Sequence, residues 1–143
     1  MSDRLGFDGQ VALITGGAAG LGKAYGMALA ERGARIVVNG NYRESGHGPE
    51  DEVAADIRSR GGEAVGVNGS VTDEEAVRRM IAAAIDHFGR LDIVVNNAGT
   101  GDLSLRIQDA PDERFERQFD IHVRGPIRIV RAACRGRCAA PDG

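Results

Sequence analysis

Residues 11–22 read Val11-Ala-Leu-Ile14-Thr15-Gly16-Gly17-Ala18-Ala19-Gly20-Leu21-Gly22. Four apolar residues run straight into a turn with the spacing TGxxxGxG, and the residues beyond it have helical periodicity. A strand that ends in glycines and opens a helix is a phosphate cradle. Glycine turns the chain tightly and lets backbone N–H groups approach a pyrophosphate. The positive end of the following helix then faces the anion. Glycines alone make only a turn; the strand-turn-helix context points to a dinucleotide. Lys23 lies just past the motif and either leans toward the anion or faces solvent.

Working outward, three further apolar runs recur at Ile36-Val-Val38, Ala64-Val-Gly-Val67 and Ile93-Val-Val95. None alternates cleanly, so all four are expected as strands buried on both faces of a parallel sheet. Helical patterns separate them. Leu21, Ala24, Ala28 and Leu29 share a face, and Gly33 stops that helix. Glu50, Asp51 and Glu52 stand at a second helix start, where negative charge is favoured. Val53 and Ile57 mark its buried side and Gly61-Gly62 its end. Thr72 and Glu75 have capping-box spacing before a third helix. Val77, Met80, Ile81, Ala84, Ile85 and Phe88 come next, then Gly89. A fourth helical region runs from about Asp112 to Cys134, with Phe115, Phe119, Ile121, Val123, Ile127 and Val130 as apolar positions. Gly125-Pro126 should kink it. The fold class is therefore α/β, a Rossmann-type doubly wound parallel sheet. Ligands of such sheets lie at the carboxyl ends of the strands.

The 143 residues suit one domain, with 42% hydrophobic and 27% charged residues. A net charge of −3 gives nucleic-acid binding no support. No stretch has the length and apolarity of a membrane span, and the N-terminus lacks the apolar core of a signal peptide. A cytoplasmic location is the resulting expectation. Cys134 and Cys138 read as free thiols. Their spacing does not suit zinc, and His47, His87 and His122 are scattered.

The turn spacing, together with Asn96-Asn97-Ala98-Gly99 at the end of the fourth strand, resembles the short-chain dehydrogenase/reductase family. Asn96-Asn97 could otherwise be an ordinary asparagine-glycine turn. The resemblance covers about residues 5–134. Leu5-Gly-Phe-Asp-Gly-Gln10, Gly22-Lys-Ala-Tyr25 and Phe119-Asp-Ile-His-Val-Arg-Gly125 are similar to the branch containing the 3-hydroxyacyl-CoA dehydrogenases of peroxisomal multifunctional enzymes. That branch carries histidine where most of the family has a catalytic-tetrad asparagine, and His122 stands there; it is either a catalytic part or a buried histidine bonded to backbone.

The resemblance implies an NAD(P)-dependent oxidoreductase acting on a secondary alcohol or ketone, with a 3-hydroxyacyl thioester as one substrate. The implied cofactor contacts are Gly16, Gly20, Leu21, Gly22, Asn39, Gly40, Ser70, Val71, Asn96, Ala98 and Gly99. Only Thr100 to Leu105 would reach a substrate. Relatives pair through the element that begins near Asp112, so a homo-oligomer or pairing with a longer relative is expected.

The pattern is broken in three places. Relatives read VVND at the end of the second strand, where the acid binds ribose; this chain reads Val37-Val38-Asn39-Gly40. Arg43 is near enough to meet a 2′-phosphate instead, but the usual basic positions hold Ala19 and Asn41; NAD is preferred on the strength of the branch, with NADP not excluded. An aspartate that meets adenine is replaced by Gly69. The family's Tyr-xxx-Lys pair is absent: Leu29 and Gly46 stand four residues after the two tyrosines, and Lys23 is the sole lysine. The family pattern fades after Ala133. The expectations are a partial nucleotide-binding domain over 1–133, an irregular tail over 134–143, and truncation or a shifted reading frame at that point. The alternative is a non-catalytic nucleotide-binding or dimerising fragment.

Overall fold

The computed structural model describes residues 5–41, 47–101 and 106–138. Four strands form one parallel sheet: β1 (Val11–Ile14), β2 (Arg35–Gly40), β3 (Ala64–Asn68) and β4 (Ile93–Val95). Their order in space is β3-β2-β1-β4. Registers run Ile14 to Val38, Val38 to Gly66 and Ile14 to Val95. The first three strands step to one side, and the chain then crosses back to place β4 on the far side of β1. That reversal opens a crevice beyond the carboxyl ends of β1 and β4.

Helices α1 (Gly20–Ala30), α2 (Pro49–Ser59) and α3 (Glu74–Phe88) make the crossovers. Successive residues of the central strands point to opposite faces. Ala12, Ile14, Ile36 and Val38 pack with Val53, Ala54 and Ile57 of α2. Val11, Leu13 and Val37 pack with Val77, Met80, Ile81 and Ala84 of α3. Both faces are therefore covered, as an all-parallel sheet requires. The start of β1 is tied across the sheet, where the Val11 N–H donates to Asp92 Oδ2 at 2.9 Å. Asp92 also accepts from Arg90, and this hydrogen bond, then the charge attraction, holds the guanidinium above its ordinary pKa.

Several local expectations change. Strands β3 and β4 are mostly half-buried. Each has only one neighbour among the described residues. On α1 the buried residues are Gly22 and Gly26, while Leu21 is 67% exposed. At Gly22 the helix lies so close to the glycine turn that a side chain has no room, whereas a Cβ at Gly26 would make ordinary contact with Ile36 and Ile14. The cap of α3 is Asp73, whose side chain accepts from the Glu75 N–H at 2.9 Å. Thr72 instead bonds Ser70, with the two hydroxyl oxygens 2.8 Å apart.

The last helical region is α4 (Asp112–Phe119), a π-helical turn (Asp120–Arg124) and α5 (Gly125–Cys138). Residues 134–138 are thus helical rather than the start of an irregular tail; residues 139–143 lie outside the described set. Helical hydrogen bonding from the preceding turn carries the segment past Ala133, and proline appears only at Pro141. The anchor of α5 is Ile129, with 0% exposure. Phe115, Phe119, Val123, Ile127 and Val130 are all exposed, and only Ile121 of the expected apolar set is half-buried. Among the described residues, no helix is long and apolar enough to cross a membrane. Cys134 is a free, exposed thiol.

Candidate functional site

The glycine turn is held from both sides. On one side stands Asn39, at the end of β2 and 1% exposed. Its side-chain oxygen accepts from the Gly16 N–H at 3.3 Å, and its backbone oxygen accepts from Gly17 at 2.7 Å. Its amide nitrogen donates to the carbonyls of Gly40, Val67 and Gly69. On the other side stands Asn97, whose amide donates to the carbonyls of Thr15 and Gly16 at 3.0 and 3.1 Å. The Thr15 hydroxyl accepts from the N–H groups of Asn97 and Ala98, both at 3.0 Å, and donates to Val95 O at 3.2 Å.

These bonds fix a backbone that only glycine adopts easily. Gly16 and Gly20 have φ of +63° and +53°. In that region a Cβ crowds the following carbonyl. A Cβ on Gly16 would come within 2.9 Å of Ala98 Cα, so the turn lies against the end of β4. A Cβ on Gly22 would run into the Gly16 carbonyl. Beside Gly20, by contrast, the space is open.

A cleft of about 430 Å³ lies at this end of the sheet, and Gly16, Asn39, Gly40, Ser70, Val71, Ala98 and Gly99 line it. The structure thus gathers most of the expected cofactor contacts at one place. Gly20, Leu21, Gly22 and Asn96 are not in the wall. Gly20 to Gly22 form the start of α1 behind the turn, and Asn96 is exposed. Asn97, its neighbour, makes the structural contacts. Arg43, Tyr42 and residues 102–105 lie outside the described residues.

His122 is exposed, not buried. Its Nε2 lies 3.2 Å from Thr100 O and 3.4 Å from Thr100 N. The ring lies where a Gly99 side chain would start, so His122 positions the segment that leaves β4.

Packing accounts for the glycines at the two positions where an acid was expected. A Cβ at Gly69 would come 2.5 Å from Ala76 Cβ, so α3 leaves no room for a side chain there. A Cβ at Gly40 would collide with the carboxylate of Glu50. Glu50 is 1% exposed, and neither of its oxygens has a hydrogen-bond partner among the described residues. Arg117 joins the site as well, lining both the cleft and an adjoining cavity of about 570 Å³. Sequence reasoning misses it, because its position on α4, away from every strand end, carries no signal.

A model of the short chain dehydrogenase family matches residues 10–140, past the point where the family pattern was expected to end. The chain is 44% identical over 140 residues to the peroxisomal multifunctional enzyme type 2 of Mus musculus, covering 93% of this chain and 18% of that protein. It is 38% identical over 135 residues to a versicolorin reductase of Emericella nidulans, covering 94% of this chain and 49% of that protein. It is 42% identical over 132 residues to the peroxisomal hydratase-dehydrogenase-epimerase of Neurospora crassa, covering 92% and 14%. The chain thus spans half or less of the length of these relatives.

Proposed function

The chain belongs to the short-chain dehydrogenase family, and from that premise we propose that it is the dinucleotide-holding part of an NAD(P)-dependent oxidoreductase acting on a secondary alcohol or ketone. The observation that carries this reading is the clamped glycine turn opening onto the cleft beside β1 and β4. The residues suit the cofactor. Gly16 and Gly20 allow a backbone approach that a side chain would bar, and the N-terminus of α1 faces an anion favourably. Gly16 and the start of α1 at Gly20, Leu21 and Gly22 would hold the pyrophosphate. Asn39, Gly40, Ser70 and Val71 would border the adenosine, and Asn96, Ala98 and Gly99 the nicotinamide side. When bound, that group supplies hydride donation or acceptance.

NAD is proposed over NADP, and a 3-hydroxyacyl thioester as the substrate class. The segments 5–10, 22–25 and 119–125 and the likeness to two peroxisomal multifunctional proteins favour this. The protein's own residues hold and orient; His122 fixes the exit from β4. Residues 1–143 contain no Tyr-xxx-Lys pair. Positioned acid–base groups contribute roughly 10²–10⁴-fold to rate. The 143-residue polypeptide alone should therefore show no turnover with a 3-hydroxyacyl-CoA and NAD. Turnover by homogeneous protein would require another catalytic apparatus.

Calorimetry with NADH and NADPH tests the binding reading. The chain should bind NADH, and Gly20→Val should weaken it at least ~10-fold, since a β-branched residue at this φ strains the turn by roughly 1–2 kcal/mol and fills the open space beside it that the anion would enter. Circular dichroism should show the variant folded. Unchanged affinity would move the site elsewhere, and a preference for NADPH would reverse the choice of cofactor.

A further inference from the structure

We propose that Glu50 is the acid that receives the adenosine ribose hydroxyls and selects against a 2′-phosphate, acting from α2 in place of a side chain at the end of β2. The proposal rests on the dinucleotide reading above.

The end of β2 offers no free carboxylate of its own, and Asn41, next in the chain and part of the cleft wall, carries only a neutral amide. Asn39 is committed inward to Gly16, Val67 and Gly69, and Gly40 has no side chain. Glu50, in the first turn of α2, is 1% exposed with both oxygens unpaired among the described residues. Burying a carboxylate without hydrogen-bond donors is costly. The N-terminal end of α2 offsets only part of that cost. The neighbouring Gly48 N–H is already taken by Asp51 Oδ2 at 3.1 Å.

Position makes the carboxylate a replacement. Glu50 Oε2 occupies the space where a Gly40 side chain would begin, and it lies 2.7 Å from the place of a Gly48 Cβ. Two glycines therefore make room for this one group. Gly40 is also part of the cleft wall. The carboxylate stands directly behind that wall, at the strand end where a sheet of this order receives ribose.

On binding, the side chain turns past Gly40, which presents no obstacle. Its two oxygens then accept from the two ribose hydroxyls, exchanging an unpaired buried state for charge-assisted bonds. A 2′-phosphate would bring a second anion against the same group.

Calorimetry on the full chain with NADH and NADPH, for the wild type, Glu50→Gln and the Gly40→Asp/Glu50→Ala double variant, tests this. The wild type should prefer NADH. Glu50→Gln should lose roughly ten- to hundredfold in NADH affinity, the worth of hydrogen bonds to a charged acceptor, and should narrow the gap to NADPH. Gly40→Asp/Glu50→Ala should restore NADH binding, because the acid returns to the strand. Glu50→Gln should melt no lower than the wild type, since it removes an unpaired buried charge and keeps the shape. Wild-type NADH affinity and selectivity in Glu50→Gln overturns the proposal and leaves the dinucleotide reading standing. Failure of the wild type to bind either cofactor overturns both.

Discussion

One hydroxyl joins the glycine turn to the far strand. Thr15 Oγ1 accepts from two consecutive backbone N–H groups and donates to a carbonyl, all at the end of β4. Valine has the same shape without the oxygen. Thr15→Val would leave the Asn97 and Ala98 N–H groups unpaired, each costing about 1–3 kcal/mol when buried. Both bonds are only part-buried, so Thr15→Val should lose about 2–4 kcal/mol of stability, the lower part of the summed range, and Thr15→Ser, which keeps the oxygen, under about 1 kcal/mol. Urea unfolding measures both; equal midpoints would remove the clamp from the account. The glycines of this turn were legible in the sequence because their backbone requirement is local. The roles of Thr15, Asn97 and Glu50 were not. Thr15 and Asn97 meet across more than 80 positions of chain, and Glu50 read only as a favourable charge at a helix start.

At the scale of elements, periodicity located the four strands and the helices between them, but not the short helical turn at Ile107–Asp109 or which face of the last helix is inward. The sequence placed a kink at Gly125-Pro126. The structure answers with the π-helical turn over Asp120–Arg124. Pro126 has no N–H for the His122 carbonyl, and the Gly125 N–H reaches back to Asp120 O. Beyond this wider turn Ile129 enters the core, and the larger apolar residues stay outside. Phe115, Phe119, Val123, Ile127 and Val130 then form an exposed stripe at helical spacing, with Phe119 50% exposed. Such a stripe marks an interaction face. Two copies of this chain should pair through it. Sedimentation velocity should find dimer or larger species for the wild type and a shift to monomer for Phe119→Glu/Ile127→Glu. A wild-type monomer at tens of micromolar would rule the pairing out.

For the whole molecule, stability should fall from the middle of the sheet to its sides. Every residue of β1 is fully buried, and the side chains of β2 beyond Arg35 are nearly so. Strand β4 has three half-buried residues and one strand neighbour among the described residues. Fewer buried contacts mean cheaper local opening. Hydrogen exchange on the 143-residue polypeptide should therefore protect β1 and β2 most and β4 least. An apolar strand whose outer edge is unpaired among the described residues also invites pairing with another chain. The sequence supplies no counter-device there: Ile93, Val94 and Val95 carry no charge. The polypeptide should aggregate on heating, or persist by pairing, so its melting behaviour should depend on protein concentration. Differential scanning calorimetry over a tenfold concentration range checks this. A reversible, cooperative melt at one temperature throughout, with β4 as protected as β1, would show that the outer strand is held as firmly as the centre.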